Sequence, residues 1–285
     1  MTTRRDAGPA HLEVISGAQT DTGLRRAANE DSFLAHYPVF VVADGMGGHE
    51  AGDLASAAVV DAFRPFIGRD DVQPEEVAAA VTAAHDAVGL IAKGTTRGAG
   101  STLTGVVSVE QGGEKRWLVL NVGDSRVYRL LAERLEQLTI DHSVAQELVD
   151  AGQLARDQMS QYEGRNVITR AVGSEHSPAD YWLLPVVTGE RLLVCSDGLS
   201  GEVTDEAIRA GLLVGGSPTH TAGSLIGQAL AHGGRDNVTV IVVDVVGGGI
   251  HPRLEDTTGG FPTSESVTGT IEVSTMPSSR RRGRG

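Results

Sequence analysis

The sequence predicts an α+β fold in which antiparallel β-sheets carry α-helices on their outer faces. Short runs rich in β-branched residues come in adjacent groups along the chain, and they do not alternate one for one with helical segments. Two connections, residues 111–113 and 131–133, are short enough to join neighbouring strands as hairpins. Both observations favour antiparallel sheets over a doubly wound parallel sheet.

Strand candidates are short apolar runs with many branched or aromatic side chains. They cover residues 12–16, 32–36, 39–43, 101–109, 116–122, 126–131, 182–187, 191–195 and 238–245. Helix candidates have apolar residues at wider spacing, and they cover residues 51–66, 74–91, 143–151, 205–213 and 219–231. Thr204 and Ser217 suit the start of the last two helices, because a hydroxyl there can accept a hydrogen bond from the helix N-terminus.

Length and composition predict one large folded domain with loose ends. The chain has 285 residues, of which 40% are hydrophobic, enough to bury a substantial core. We expect a flexible leader at residues 1–10, a single domain at 11–247 and a disordered tail at 248–285. The tail is rich in Gly, Ser and Thr, and it ends in a cluster of arginines.

Charge and cysteine content exclude several classes of protein. The net charge of −13 argues against nonspecific nucleic-acid binding, which needs a basic surface. The single cysteine, Cys195, lies in an apolar run, so we expect a buried thiol and neither a disulfide nor a cysteine-type zinc site. No signal peptide is evident, and no apolar run approaches the roughly 18 residues of a membrane helix. We therefore expect a cytoplasmic protein without a membrane span.

Acidic residues stand where predicted strands begin or end. Asp44, Asp124 and Asp197 follow apolar runs, Asp236 precedes one, and Glu30 and Asp31 precede another. A single acid in such a place is usually a solvated turn residue. Several carboxylates at one sheet edge would repel each other, and a bound cation would relieve that repulsion. Without histidine or cysteine clusters, carboxylates favour hard ions such as Mg²⁺ or Mn²⁺.

The glycines after Asp44 raise the question of phosphate binding. Gly45, Gly47 and Gly48 follow a predicted strand, but the spacing fits neither a dinucleotide fingerprint nor a P-loop. Met46 stands where a covalent aspartyl-phosphatase would want a second acid. Bare backbone would instead leave room for cations, with the carbonyl of Gly45 as one possible ligand.

Eight motifs, taken in order, resemble the metal-dependent serine/threonine phosphatases of the protein phosphatase 2C type, in the compact style of bacterial members. They lie at residues 26–31, 42–49, 100–102, 121–126, 138–143, 165–170, 195–199 and 235–238, and the resemblance covers about residues 12–246. It implies two antiparallel sheets packed face to face, with helices on both outer faces in four layers. It also implies a mobile flap at about residues 141–173 beside the site.

The resemblance implies a set of ligands for two divalent metals, Mn²⁺ or Mg²⁺. One metal would take Asp44, Asp197 and Asp236, and the other Glu30, Asp44 and the Gly45 carbonyl. Asp124, with Asp197, would bind a third, weaker ion. Asp31 and Asn237 would support these ligands, with Asp31 orienting bound water.

The implied reaction is hydrolysis of phosphoserine or phosphothreonine by a water that bridges two metals and attacks phosphorus directly. Arg26 would grip the phosphate, with Arg25 as the adjacent rival, whereas Arg126 and Arg170 are expected in structural ion pairs. Met46 replaces the histidine that larger relatives are thought to use as the leaving-group acid, and His49 is expected to structure its loop.

The implied partners are phosphorylated proteins, with serine/threonine kinases and their substrates as the natural guess, acted on by a monomer. One alternative is a catalytically silent module that binds phosphoproteins or regulates a kinase. Another is a metal-dependent hydrolase of small phosphate esters. The first would be expected to lack ligands, and the second differs only in substrate.

Overall fold

The computed structural model describes residues 12–47 and 51–251. The predictions for the leader at residues 1–10, for His49 and for the tail from residue 252 onward lie outside the described residues. Within the described ranges, no helix is long and apolar enough to cross a membrane.

Two antiparallel sheets form the centre of the molecule. The first has the order β1-β11-β10-β7-β8, with strands Glu13–Asp21, Val238–Gly247, Arg191–Cys195, Arg126–Leu131 and Arg134–Gln137. The second has the order β2-β3-β5-β6-β9, with strands Asp31–His36, Val39–Gly47, Leu103–Gln111, Glu114–Val122 and Asp180–Pro185. The short strand β4, Ala99–Ser101, pairs with the end of β3.

Helices lie on both outer faces of this pair of sheets. The helices of the described residues are α1 (Ala51–Asp61), α2 (Pro74–Lys93), α3 (Val144–Asp150), α4 (Asp197–Ser200), α5 (Asp205–Val214) and α6 (Pro218–Ala231). Helices α1 and α2 pack on the second sheet, and α5 and α6 pack on the first. The predicted four-layer α-β-β-α architecture is therefore confirmed.

The core is divided by the sheets into three apolar layers. The layer between the sheets contains Phe40 and Trp117 in edge-to-face contact, 6.2 Å between ring centroids, together with Val194 and Ile241 of the first sheet. The central strands β3, β5, β6, β10 and β11 are buried along most of their length, which explains why they are continuous apolar runs instead of alternating ones.

Some predicted element boundaries are wrong. Helix α1 ends at Asp61 and not at residue 66, because Pro65 cannot continue the hydrogen-bonded helix and opens a short 3₁₀ turn instead. Strand β1 runs to Asp21 because it pairs with the whole of β11, and β8 was not predicted as a strand because its side chains are mostly polar. The starts at Thr204 and Ser217 are confirmed, since both hydroxyls accept from helix N–H groups.

Both predicted hairpins are present. Gln111 pairs with Glu114 across the two glycines at 112 and 113, both at positive φ. Leu131 pairs with Arg134 across a turn whose two central residues also have positive φ. These tight turns fix the registers of β5–β6 and β7–β8 and so determine which strand ends share one edge of the sandwich.

Candidate active site

Five of the predicted acidic residues lie at the same end of the sandwich. Asp44 is near the end of β3 and is paired in register with Asp31 at the start of β2. Asp197 begins α4 directly after β10, and Asp236 immediately precedes Asn237 and β11. Asp124 occupies the turn between β6 and β7. The sheets thus bring together carboxylates that are up to about two hundred positions apart in the chain.

The turn after β4 holds Asp44 through its backbone. The Asp44 amide donates to Thr102 Oγ1 at 2.9 Å, and the Thr102 amide donates back to the Asp44 carbonyl at 2.8 Å. Thr102 Oγ1 is also 2.9 Å from Ser125 Oγ, next to Asp124. This buried threonine therefore fixes two of the acidic turns relative to each other.

Asp31 connects the two sheets. Its Oδ2 accepts hydrogen bonds from Ser196 Oγ at 2.8 Å and from Thr239 Oγ1 at 2.7 Å. Its other carboxylate oxygen, Oδ1, is buried without a hydrogen-bond partner. Asp31 thus connects the start of β2 to Ser196, next to β10, and to Thr239 of β11. Its second carboxylate oxygen accepts no hydrogen bond from the described residues.

Asn237 holds the loop that carries Arg26 and Glu30. Its Oδ1 accepts from the Glu30 amide at 2.8 Å, and its Nδ2 donates to the carbonyls of Thr22 and Ala28, each at 2.9 Å. Because Asn237 is only 4% exposed, all three bonds are shielded from solvent. The side chain fixes the loop against the segment that carries Asp236.

Arg26 lies at the entrance of the acidic group. Its Nη2 is 2.6 Å from Asp236 Oδ2, and half of its side chain is exposed. Its pKa is raised, first by the hydrogen bond to Asp236 and then by the charges of Asp236, Asp44 and Asp197, against the effect of partial burial. The exposed part of this guanidinium can donate hydrogen bonds to an anion outside the acidic group.

The glycines around Asp44 are required by close backbone packing. A Cβ on Gly45 would lie 2.0 Å from the Gly52 carbonyl oxygen and 2.6 Å from that of Glu30. A Cβ on Gly52 would lie 2.6 Å from Glu30 Oε1. These residues let the end of β3, the start of α1 and the Glu30 side chain meet without intervening atoms.

Burial and mutual repulsion raise the pKa of the carboxyl groups. The pKa of Asp44 is raised well above its usual range by burial, and then by Asp31, Asp197, Asp124 and Asp236. Burial raises the pKa of Asp31 to about 7 and that of Asp197 to about 6. The pKa of Asp124 is also raised by burial, then by Asp197 and Asp141. The positive charge of the neighbouring arginines does not offset burial and mutual repulsion, so the pKa values of these carboxyl groups stay raised.

The donor set fits hard divalent cations. Within residues 12–47 and 51–251, no three histidine, cysteine or acidic side chains are already arranged to hold a metal. One of the carboxylates is instead bound to an arginine: Asp236 forms an ion pair with Arg26. However, Asp31 Oδ1 and Asp197 Oδ1 are buried oxygens without partners, and such acceptors suit Mn²⁺ or Mg²⁺.

Two other predicted arginines are in structural ion pairs, as expected. Arg126 donates bidentately to the buried Asp141, with the shortest contact at 2.6 Å. Arg170 donates to Asp180 at 2.8 Å and to the Pro178 carbonyl at 3.2 Å. Cys195 is buried, and burial raises the pKa of its thiol to about 12, in agreement with the predicted inert thiol.

A cavity of about 530 Å³ opens beside the acids. Asp124 and Asp197 line it, together with Arg156 and Met159 of the predicted flap and Glu202 of the turn after α4. The Glu202 carboxylate binds Arg235 through Nε at 2.7 Å and Nη2 at 2.8 Å, so the Asp197 and Asp236 segments are also connected on this side.

Sequence reasoning did not identify Thr102, Ser196 and Thr239 as supports of the acids. Thr102 and Ser196 lie inside motifs of the family resemblance, so a signal was present, but the hydrogen bonds depend on register across two sheets. No local pattern marks Thr239, which is 208 positions from its partner Asp31.

The family model for protein phosphatase 2C matches residues 25–216. The chain belongs to the protein phosphatase 2C family. The serine/threonine protein phosphatase PstP of Mycobacterium tuberculosis is 38% identical over 242 residues, which are 82% of this chain and 46% of that protein. The present chain thus spans about half the length of that relative.

Two further proteins are similar to this chain over nearly the whole of their own length. The serine/threonine phosphatase stp of Listeria welshimeri is 32% identical over 240 residues, covering 79% of this chain and 94% of that protein. The crystal structure of the PstP catalytic domain in complex with two manganese ions has a TM-score of 0.75 and 35% identity. The match between the two structures covers 83% of this chain and 100% of the PstP catalytic domain.

Proposed function

We propose that the domain at residues 11–247 is a metal-dependent phosphatase that hydrolyses phosphoserine and phosphothreonine in proteins. The observation that carries this proposal is the group of buried carboxylates from both sheets, with Arg26 at its entrance. The fit to the manganese-bound PstP domain supports the same chemistry.

The carboxylates would hold two cations, Mn²⁺ or Mg²⁺, in two overlapping sets. One set is Asp44, Asp197 and Asp236, and the other is Glu30, Asp44 and the Gly45 carbonyl. Asp124, with Asp197, would hold a third and weaker ion. When bound, such cations neutralise negative charge and lower the pKa of water, which makes hydroxide available near neutral pH.

The protein's own groups would orient the substrate. Arg26 can exchange its contact with Asp236 for the phosphate oxygens, because a cation on Asp236 competes for the same oxygen. Asn237 and Thr102 hold the loops that carry the ligands. The Met46 thioether has no proton to donate, so the leaving alkoxide must take its proton from water or from another acid.

The substrates we propose are phosphorylated proteins, among them serine/threonine kinases and their targets, acted on by a monomer in the cytoplasm. The support for these partners is the family resemblance and the names of the relatives, PstP and stp.

The test is release of phosphate from a phosphothreonine peptide with and without Mn²⁺. We expect turnover only with the cation, and a loss of at least about 100-fold in Asp236→Ala, as for removal of a group that stabilises the transition state. Asp61→Ala is the matched control, because Asp61 is exposed at the end of α1 and its ion pair within the described ranges is with the exposed Arg64.

Absence of turnover by folded, Mn²⁺-loaded wild-type protein would refute the proposal and favour the silent binding module. Faster hydrolysis of small phosphate esters than of phosphopeptides would also refute the assigned substrate class.

A further inference from the structure

The turn that carries Asp124 is held at two points by one buried histidine. The His142 amide donates to the Gly123 carbonyl at 2.9 Å, and the Gly123 amide donates to the ring nitrogen Nδ1 of His142 at 3.1 Å. His142 is only 5% exposed. The Gly123 carbonyl also accepts from Asn121 Nδ2 at 3.0 Å, so it is the Gly123 amide that relies on His142 for its acceptor.

The hydrogen bonds determine the tautomer of this ring. Because Nδ1 accepts from an N–H group, the proton of the neutral ring is on Nε2. Nε2 lies 3.0 Å from Asp180 Oδ2, to which it donates. Arg170 Nη1 lies 3.1 Å from the same nitrogen, but both groups are donors, so Arg170 is bound by the other Asp180 oxygen at 2.8 Å.

The result is a chain of contacts from Arg170 through Asp180 and His142 to the Asp124 turn. Arg170 and Asp180 orient the ring, and the ring fixes the Gly123 amide. On its other side the turn is held by the contact between Thr102 Oγ1 and Ser125 Oγ. Asp124, ordered in this way, lines the same cavity as Asp197.

We infer that His142 is a positioning residue that sets the affinity of Asp124 for a divalent cation by holding the Gly123 amide through Nδ1. The inference rests on the proposed function, because it concerns the third cation assigned to Asp124 and Asp197. Groups that orient a metal ligand through a hydrogen bond typically change metal affinity about 10- to 100-fold when removed.

Two substitutions of His142 distinguish the role of Nδ1 from the role of Nε2. In His142→Asn, the carboxamide oxygen can take the place of Nδ1 and keep the contact with Gly123. In His142→Gln, the longer side chain can reach Asp180 in place of Nε2, but it leaves the Gly123 amide without its acceptor. Asp180→Ala serves as a third variant, because the side chain is partly exposed. It removes the group that orients the ring, together with the acceptor of Arg170, and leaves Nδ1 in place.

The experiment is titration with Mn²⁺ of wild-type protein and variants, followed by electron paramagnetic resonance, with the melting temperature and phosphopeptide turnover measured in parallel. We expect His142→Gln to bind the weakest ion about 10- to 100-fold less tightly, with the two tighter ions unchanged. His142→Asn should remain close to wild type, and Asp180→Ala should lie between the two.

Equal affinities in all proteins, or equal losses in His142→Asn and His142→Gln that follow their melting temperatures, would overturn the inference. If His142→Gln does not fold, wild-type affinity in Asp180→Ala would overturn it. A wild-type protein that turns over phosphopeptide but binds only two ions would overturn it as well, yet leave the proposed function standing. Absence of turnover and of any Mn²⁺ binding would refute both.

Discussion

Replacing Asn237 by alanine tests whether the loop that carries Arg26 and Glu30 is held in place for function. The substitution removes three hydrogen bonds, to the Glu30 amide and to the carbonyls of Thr22 and Ala28. A buried hydrogen bond contributes about 1 kcal/mol to stability. We therefore expect the free energy of unfolding to fall by about 3 kcal/mol, and the melting temperature to fall by about 6–12 °C.

The same substitution should affect catalysis beyond its effect on stability. With the loop released, Glu30 and Arg26 no longer have fixed positions relative to Asp236. Misplacement of such groups by about 1 Å can cost a factor of about 100 in rate. We expect kcat/KM for a phosphothreonine peptide to fall by about this factor at a temperature where the variant is fully folded.

The control is a variant that loses a comparable number of partly buried contacts at the opposite end of the sandwich. Arg191 pairs with Asp244 at 2.6 Å and donates to the carbonyls of Leu212 and Gly216. Arg191→Ala should lower the melting temperature similarly and leave kcat/KM unchanged. If Asn237→Ala also keeps wild-type kcat/KM, the positioning role of Asn237 is wrong and its bonds are merely structural.

Two further outcomes follow from packing and from charge. Gly45→Ala should cost at least about 3 kcal/mol or prevent folding, because its Cβ would lie 2.0 Å from the Gly52 carbonyl oxygen. Gly89→Ala, in α2 with open space around the new methyl group, should instead stabilise the protein by up to about 1 kcal/mol in urea unfolding; equal effects would contradict this account. In EDTA, stability should fall as pH rises from about 4 to 7, since the folded state keeps protons on Asp31 and Asp197 that the unfolded chain has already released. Saturating Mn²⁺ should abolish or reverse this slope in unfolding curves measured across that range, because the cation binds the ionised carboxylates. A rise of stability with pH in EDTA would disprove the raised pKa values.

The sequence was sufficient to predict the α+β class, most strands and the acids that gather at one end. Those features depend on local signals, such as β-branched runs that stop at Asp44 or Asp197, and hairpin turns of two residues. The boundaries failed where tertiary pairing overrode local preference. β8 has polar residues such as Arg134 and Glu136, and it is a strand because the turn at 132–133 places it beside β7.

The hydrogen-bond partners of the acids could not be predicted for a different reason. Ser196 and Thr239 meet Asp31 only after two sheets have packed face to face, so no window of sequence contains the information. His142 follows Asp141 in a recognisable motif, but its contact with Gly123 depends on how the flap begins relative to the β6–β7 turn.

The kind of partner separates the structural acids from the site acids. Asp141, Asp180 and Asp244 each face an arginine, and the pKa of Asp180 is lowered by His142 and Arg170. Asp31 is held by neutral hydroxyl groups, and Asp44 is held through its backbone, which fixes their positions without cancelling their charge. An arginine in those places would satisfy the carboxylates and remove the reason for a cation to bind. Asp236 is the exception, but its partner Arg26 is half-exposed, as the proposed transfer of Arg26 to a phosphate requires.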